Sequence, residues 1–190
     1  MKHSQRFIFL EITDPDINGL ITTIREILSK KTYYTNVHLT IRGPYYDNIP
    51  IEDFNLCNKE MMDEELLLSD FGIFDNDNNY VVYMKVKNEK LKKIWKKQDY
   101  PISKYGINPH ITLCETTNKK YADELIKYLN KENINLLCHK YRFTQYVSKQ
   151  NELFNDPIRN EKKFLNLLTN RKISLTFLSR LDKLIKKYNT

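Results

Sequence analysis

Apolar and polar positions along this chain fall into short strand-like runs separated by segments of helical period. RFIFLEI at 6–12 predicts a strand. DPDINGLITTIREILSKK at 14–31 predicts a helix, with Asp14 as N-cap, Pro15 at its first position and Leu20, Ile24, Ile27 and Leu28 on one stripe. Gly19 weakens its first turns. NVHLTIRG at 36–43 predicts a second strand, stopped by Gly43-Pro44, and 44–64 reads as irregular or partly helical. ELLLSDFGIF at 65–74 and YVVYMKVK at 80–87 predict a hairpin across the turn DNDNN.

NEKLKKIWKKQ at 88–98 predicts a short helix with Leu91, Ile94 and Trp95 inward. A loop with Pro101, Gly106 and Pro109 leads to a strand, HITLCE, at 110–115. NKKYADELIKYLNKEN at 118–133 predicts a helix with Tyr121, Leu125, Tyr128 and Leu129 on one stripe. INLLCHKYRFTQYVSK at 134–149 predicts one long strand or a bent pair. The tail holds two amphipathic pieces, EKKFLNLL and LTFLSRLDKLIKKY, with basic outer faces. The alternation suggests an α/β or α+β sheet with helices outside, and a similar unit runs twice.

At 190 residues the chain fits one domain with an appendage: residues 1–149, then a basic helical extension at 150–190. With 41% hydrophobic residues it can bury a core, and no apolar run is long enough to span a membrane. The N-terminal apolar run is too short for a secretory signal. Three cysteines without C-x-x-C spacing (Cys57, Cys114, Cys138) read as reduced thiols of a cytoplasmic protein. The net charge of +7 is local: residues 160–190 hold eight Lys/Arg against two acids, and 85–104 hold eight Lys against two acids. Residues 52–77 are the reverse, with nine acids and one Lys. Such basic stretches suit a polyanion, or equally a set of solvated helix faces.

Two of the four histidines repeat one pattern, in VHLTIRGPYY at 37–46 and PHITLCE at 109–115. Strand alternation puts Asn36, His38, Thr40 and Arg42 on one face, and Asn108, His110, Thr112 and Cys114 on one face of the later strand. Related by a pseudo-twofold, the His pair and the Thr pair would meet in one cleft. Two imidazoles there suit general acid–base work, one neutral and one protonated near pH 7. The Thr hydroxyls, with Arg42, suit the non-bridging oxygens of a phosphate. Arg42 can equally pair with an acid of 52–77. Tyr45 and Tyr46 are the candidates for stacking a base, with Tyr105, Phe143 and Tyr146 behind them and Lys104 as a further phosphate contact. Cys114 reads as a small buried thiol, and His3 and His139 as incidental. There is no H-E-x-x-H, no carboxylate cluster beside the motifs and no Gly-rich phosphate loop.

The pair HLTIRGPY and PHITLCE, with 72 positions from His38 to His110, resembles the paired H-x-[ST] signatures of the 2H phosphoesterase superfamily. Its members include RNA 2′,3′-cyclic phosphodiesterases of the 2′-5′ RNA ligase-like group and enzymes that cut 2′-5′ oligoadenylates or cyclic oligonucleotides. The resemblance covers residues 5–149 and leaves the tail unplaced. It implies an α+β, bilobal fold of two antiparallel sheets in pseudo-twofold relation around a central cleft. It implies a metal-independent phosphodiesterase without cofactor, with His38 and His110 catalytic and Thr40 and Thr112 binding phosphate. The partner expected is a nucleotide, oligonucleotide or RNA substrate, with no membrane and no obligate protein partner. Two other readings stand beside it: a non-catalytic nucleotide-binding module using the same cleft, and an RNA-binding protein working through its basic tail.

Overall fold

The computed structural model describes residues 4–29, 36–148 and 176–188. His3 and the EKKFLNLL piece of the tail lie outside the described residues. The order is β1 (Arg6–Ile12), α1 (Pro15–Ser29), β2 (His38–Tyr45), α2 (Ile51–Glu60), β3 (Leu66–Asn76), β4 (Asn79–Lys87) and α3 (Leu91–Ile94). It continues with β5 (Lys96–Lys97), α4 (Ile102–Tyr105), β6 (His110–Thr116), α5 (Lys119–Lys131), β7 (Asn135–Cys138), β8 (Tyr141–Val147) and α6 (Phe177–Tyr188).

The fold is α+β with two four-stranded sheets, ordered β5-β2-β1-β8 and β6-β4-β3-β7. All strand pairs are antiparallel except the short β2–β5 pair, which is parallel. Each motif strand pairs antiparallel with the preceding strand of its own sheet, β2 with β1 and β6 with β4, and helix lies between the two in the chain. The motif strands also meet across the sheets, with β2 and β6 backbones within 8 Å.

Local chemistry explains the boundaries. Asp14 caps α1 by accepting from the amides of Asp16 (3.0 Å) and Ile17 (3.1 Å). The β3–β4 hairpin turns on Asp77 and Asn78, both at positive φ (48° and 72°), as a two-residue primed turn requires. The helix expected over 88–98 closes after Ile94, because Lys96 and Lys97 extend to pair with Arg42 and Gly43. The 134–149 run is a bent pair whose halves join different sheets: β7 pairs with β3, and β8 with β1.

The core is continuous under both sheets. Ile17, Leu20, Ile21, Ile24 and Leu28 of α1 are buried with Ile8, Leu10, Leu39 and Ile41, and with Leu113, Leu125 and Leu129 of the second half. Helix α6 belongs to this core. Phe177, Leu181 and Ile185 are buried in it, α6 packs on α1 and α5, and Tyr128 Oη donates to the Phe177 carbonyl at 2.9 Å. Its polar side is solvated, with Lys187 reaching Glu124 at 3.1 Å. Among the described residues no helix is long and apolar enough to cross a membrane.

Large-to-small changes in such a core cost about 2–5 kcal/mol. Leu181→Ala is therefore expected to lower the unfolding free energy by that amount in urea titration, and exposed Lys183→Ala by less than about 0.5 kcal/mol. Equal, small effects would show that α6 does not help to hold the fold.

Candidate active site

His38 opens β2 and His110 opens β6. Their local geometry is the same. His38 Nδ1 lies 2.8 Å from the Asn36 carbonyl, and His110 Nδ1 lies 2.7 Å from the Asn108 carbonyl. A carbonyl only accepts, so each Nδ1 carries the proton and each Nε2 keeps its lone pair. The asparagine side chains reach to the neighbouring strand: Asn36 Nδ2 donates to Glu11 at 3.4 Å, and Asn108 Nδ2 to Tyr83 Oη at 2.9 Å.

Each motif strand then bulges at the same step. Phe9 faces Thr40 but Ile8 faces Arg42, so Ile41 is an extra residue in β2. Tyr83 faces Thr112 but Val82 faces Cys114, so Leu113 is an extra residue in β6. An inserted residue shifts the alternation that follows. His and Thr stay on one face of each strand, while Arg42 and Cys114 turn to the apolar side with Ile8 and Val82. This corrects the simple alternation that grouped Arg42 and Cys114 with the motif residues.

Arg42 is buried and paired. Its Nε donates to the Ile94 carbonyl at 2.8 Å and its Nη1 pairs with Asp53 at 2.5 Å. Asp53 also accepts from Tyr45 Oη at 2.7 Å. The acid of 52–77 thus takes Arg42, and Tyr45 serves the same cluster, with burial and the Asp53 carboxylate pushing its pKa up to about 12. Tyr46 is 59% exposed beyond the turn. Cys114 is buried, and burial raises its thiol to about 12. His139 is exposed in the β7–β8 loop beside Glu65 at 3.2 Å. Lys104 is held at the Asp75 carbonyl, and Phe143 is buried.

Aromatic rings seat both imidazoles. His38 stacks on Phe9 at 4.0 Å with 11° between planes, and Phe9 stacks on Tyr146 at 4.7 Å. His110 lies against Phe74 (4.8 Å), Tyr83 (5.3 Å) and Tyr100 (6.1 Å). Gly72 leaves the space for Tyr83, since a Cβ there would lie 2.4 Å from the phenol.

Two connections cross between the motifs. Trp95 Nε1 donates to the Thr40 carbonyl at 3.1 Å, its ring meets Tyr100 at 4.7 Å, and Tyr100 borders His110. Arg25 of α1 is the second. It is close enough to His38 to lower the imidazole pKa, and with Thr112 it lines a cavity of about 560 Å³. Lys97, half-buried on β5 and 5.4 Å from the Tyr100 ring centroid, acts on His110 in the same way. Arg25 and Lys97 are the cations that the sequence reading missed. The signal for Arg25 is a charge set among the apolar positions of α1, next to Ile24 and one turn from Ile21 and Leu28.

Both imidazoles are pushed down to about 4. For His38 burial is the main cause, opposed by the Asn36 carbonyl, with Arg25 lowering it further and Glu11 raising it. For His110 burial leads, opposed by the Asn108 carbonyl, with Lys97 lowering it. Both rings are therefore neutral near pH 7 without a ligand, in place of the one neutral and one protonated ring expected from unperturbed values. Among the described residues no three His, Cys, Asp or Glu side chains are grouped as a metal cage.

The unfolded chain binds protons at these histidines near pH 6.5, and the folded chain only near 4. Their contribution to stability is complete above about pH 6.5 and is lost as the pH falls through about 4, on the order of 1–3 kcal/mol per ring. Denaturation midpoints should fall over that window, and His38→Asn with His110→Asn should flatten the slope. An unchanged slope would show that the rings titrate normally. Arg42→Ala, which strands Asp53 and the Ile94 carbonyl, should cost about 3 kcal/mol in the same titration.

Comparison with the models of known protein families, with curated proteins and with solved structures finds no match to this chain.

Proposed function

We propose that this chain is a metal-independent phosphodiesterase of the 2H type, acting on a nucleotide or RNA-derived phosphodiester by two-histidine acid–base catalysis. The observation that carries this reading is the duplicated motif geometry. Each of two neighbouring strands, one per sheet, holds an imidazole by Nδ1 on the carbonyl two residues back, with a Thr two residues on and a bulge after it. In this reading the pair supplies two Nε2 atoms and two hydroxyls to one phosphate, which the approach of the β2 and β6 backbones to within 8 Å supports.

A phosphodiester brings a negative charge between rings that are neutral beforehand. An anion in a desolvated site favours the protonated imidazole, so substrate binding raises one ring's pKa and loads the acid. The other ring stays neutral and takes the proton from the attacking oxygen of water or a ribose hydroxyl. The loaded ring gives its proton to the leaving oxygen. Thr40 and Thr112 donate to the non-bridging oxygens, and Arg25 and Lys97 offset the charge there. Attack by a ribose hydroxyl leaves a 2′,3′-cyclic phosphate, and attack by water on a cyclic phosphate leaves a monoester. The three cysteines are free and buried, which fits a reducing, cytoplasmic setting.

The test is turnover of 2′,3′-cyclic nucleotides, 2′-5′ oligoadenylate, 3′-5′ RNA and cyclic oligonucleotides, followed by chromatography. His38→Ala and His110→Ala should each lower kcat by about 10²–10⁴ while the fold persists, and EDTA should change nothing. Ligand bound stoichiometrically and recovered intact would mark a binding module instead.

The pH profiles follow from the lowered pKa values. Catalysis needs one ring protonated, and the free protein holds that state best near pH 4. Between pH 7 and 5, kcat/KM should therefore rise by about tenfold per unit as the pH falls, while kcat, which reports the complex, peaks nearer neutrality. Coincident profiles would remove substrate loading of the acid.

A further inference from the structure

A second cavity, of about 380 Å³, opens beside the second motif, and the mechanism above leaves it unused. Its lining includes Lys85, Lys87 and Lys92, with Tyr105, Ile107 and Asn108. Lys85 stands directly opposite His110 in the β4–β6 ladder. Opposed residues of an antiparallel pair share a face, so Lys85 rises on the same side as the imidazole, one strand away. Asn108, whose carbonyl holds His110, forms part of the wall. The cavity thus adjoins the motif.

The three lysines differ in what already balances them. Lys87 pairs with Asp70 at 2.5 Å and Lys92 with Glu89 at 2.8 Å. Among the described residues Lys85 has no carboxylate partner, although it is half-buried. Lys85 is thus the lysine of the three whose charge no carboxylate already balances, and it is the one left to meet an anionic ligand. The same lining includes Ile107, 45% exposed, and Tyr105, whose ring packs on Phe74 at 4.7 Å. A lysine, an aromatic ring and an exposed aliphatic side chain lining one cavity suit one ligand unit, a phosphate bearing a nucleoside.

We propose that this cavity is a subsite for the phosphate and base next to the cleaved linkage, so that the cleft takes an oligonucleotide rather than a single nucleotide. Lys85 holds the neighbouring phosphate, and Tyr105 with Ile107 seats the base. The proposal rests on the phosphodiesterase reading for what lies at His110, and not for the subsite's own affinity.

Fluorescence anisotropy tests it on the full chain carrying His38→Ala, with fluorescein-labelled adenylate tetramers, 2′-5′ and 3′-5′ linked, and AMP measured by calorimetry. Adding Lys85→Met should weaken tetramer binding at least tenfold and flatten the slope of log K against log salt by about 0.7, the loss of one single-strand phosphate contact. AMP binding should change less than twofold, and Lys85→Arg should restore the tetramer. Tetramer binding within twofold of the parent, or an equal loss for AMP, would overturn the subsite. Should Lys85→Met not fold, the parent protein decides: a salt slope for the tetramer no steeper than for AMP overturns it equally. Tetramer binding that depends on Lys85, in a wild-type protein that cleaves none of these substrates, would sink the phosphodiesterase reading and keep the subsite.

Discussion

The hydrogen bond from each imidazole Nδ1 to the carbonyl two residues earlier governs the rest of the site. Its acceptor is main chain, so it asks only for a histidine two residues after the carbonyl at the mouth of the strand. It fixes ring plane and tautomer together, and leaves Nε2 as the one nitrogen able to react. A free imidazole on a strand turns about two bonds. Here the carbonyls of Asn36 and Asn108, with the aromatic floors of Phe9 and of Phe74 and Tyr83, remove that freedom before any ligand arrives. Such prior ordering is what makes positioned acids and bases effective. The bulges at Ile41 and Leu113 complete it, by turning Arg42 and Cys114 away from the face that carries His and Thr.

Desolvation gives the cleft its electrostatic character. Burial costs the imidazoles their charge, yet the same region keeps Arg25 and Lys97 close by. Cations beside neutral histidines produce a positive field with no bound proton. Within the acidic stretch at 52–77, Asp53 is engaged with Arg42.

Much of this was readable in the chain. The cap at Asp14, the turn at Asp77 and Asn78 and the two motif strands all depend on short-range chemistry, which composition and spacing record directly. The face of Arg42 was not readable, because one inserted residue reverses alternation and no local signal in Leu39-Thr40-Ile41 marks it. The split of 134–149 between sheets depends on which edge each half finds, Leu66–Ser69 or Arg6–Ile12, and that is settled only by tertiary pairing. For α6 the amphipathic period was plain. Its apolar stripe fills the space between α1 and α5, a partnership that sequence distance conceals.

Trp95 is the one tryptophan of the chain, and it sits where both halves touch: its indole N–H on the Thr40 carbonyl, its ring against Tyr100, its surface 94% buried. Indole emission responds to the polarity and hydrogen bonding of its surroundings. The molecule thus carries a built-in optical probe between its two motifs, free of interference from any second fluorophore of that kind, through which ligand entry can be followed without a label.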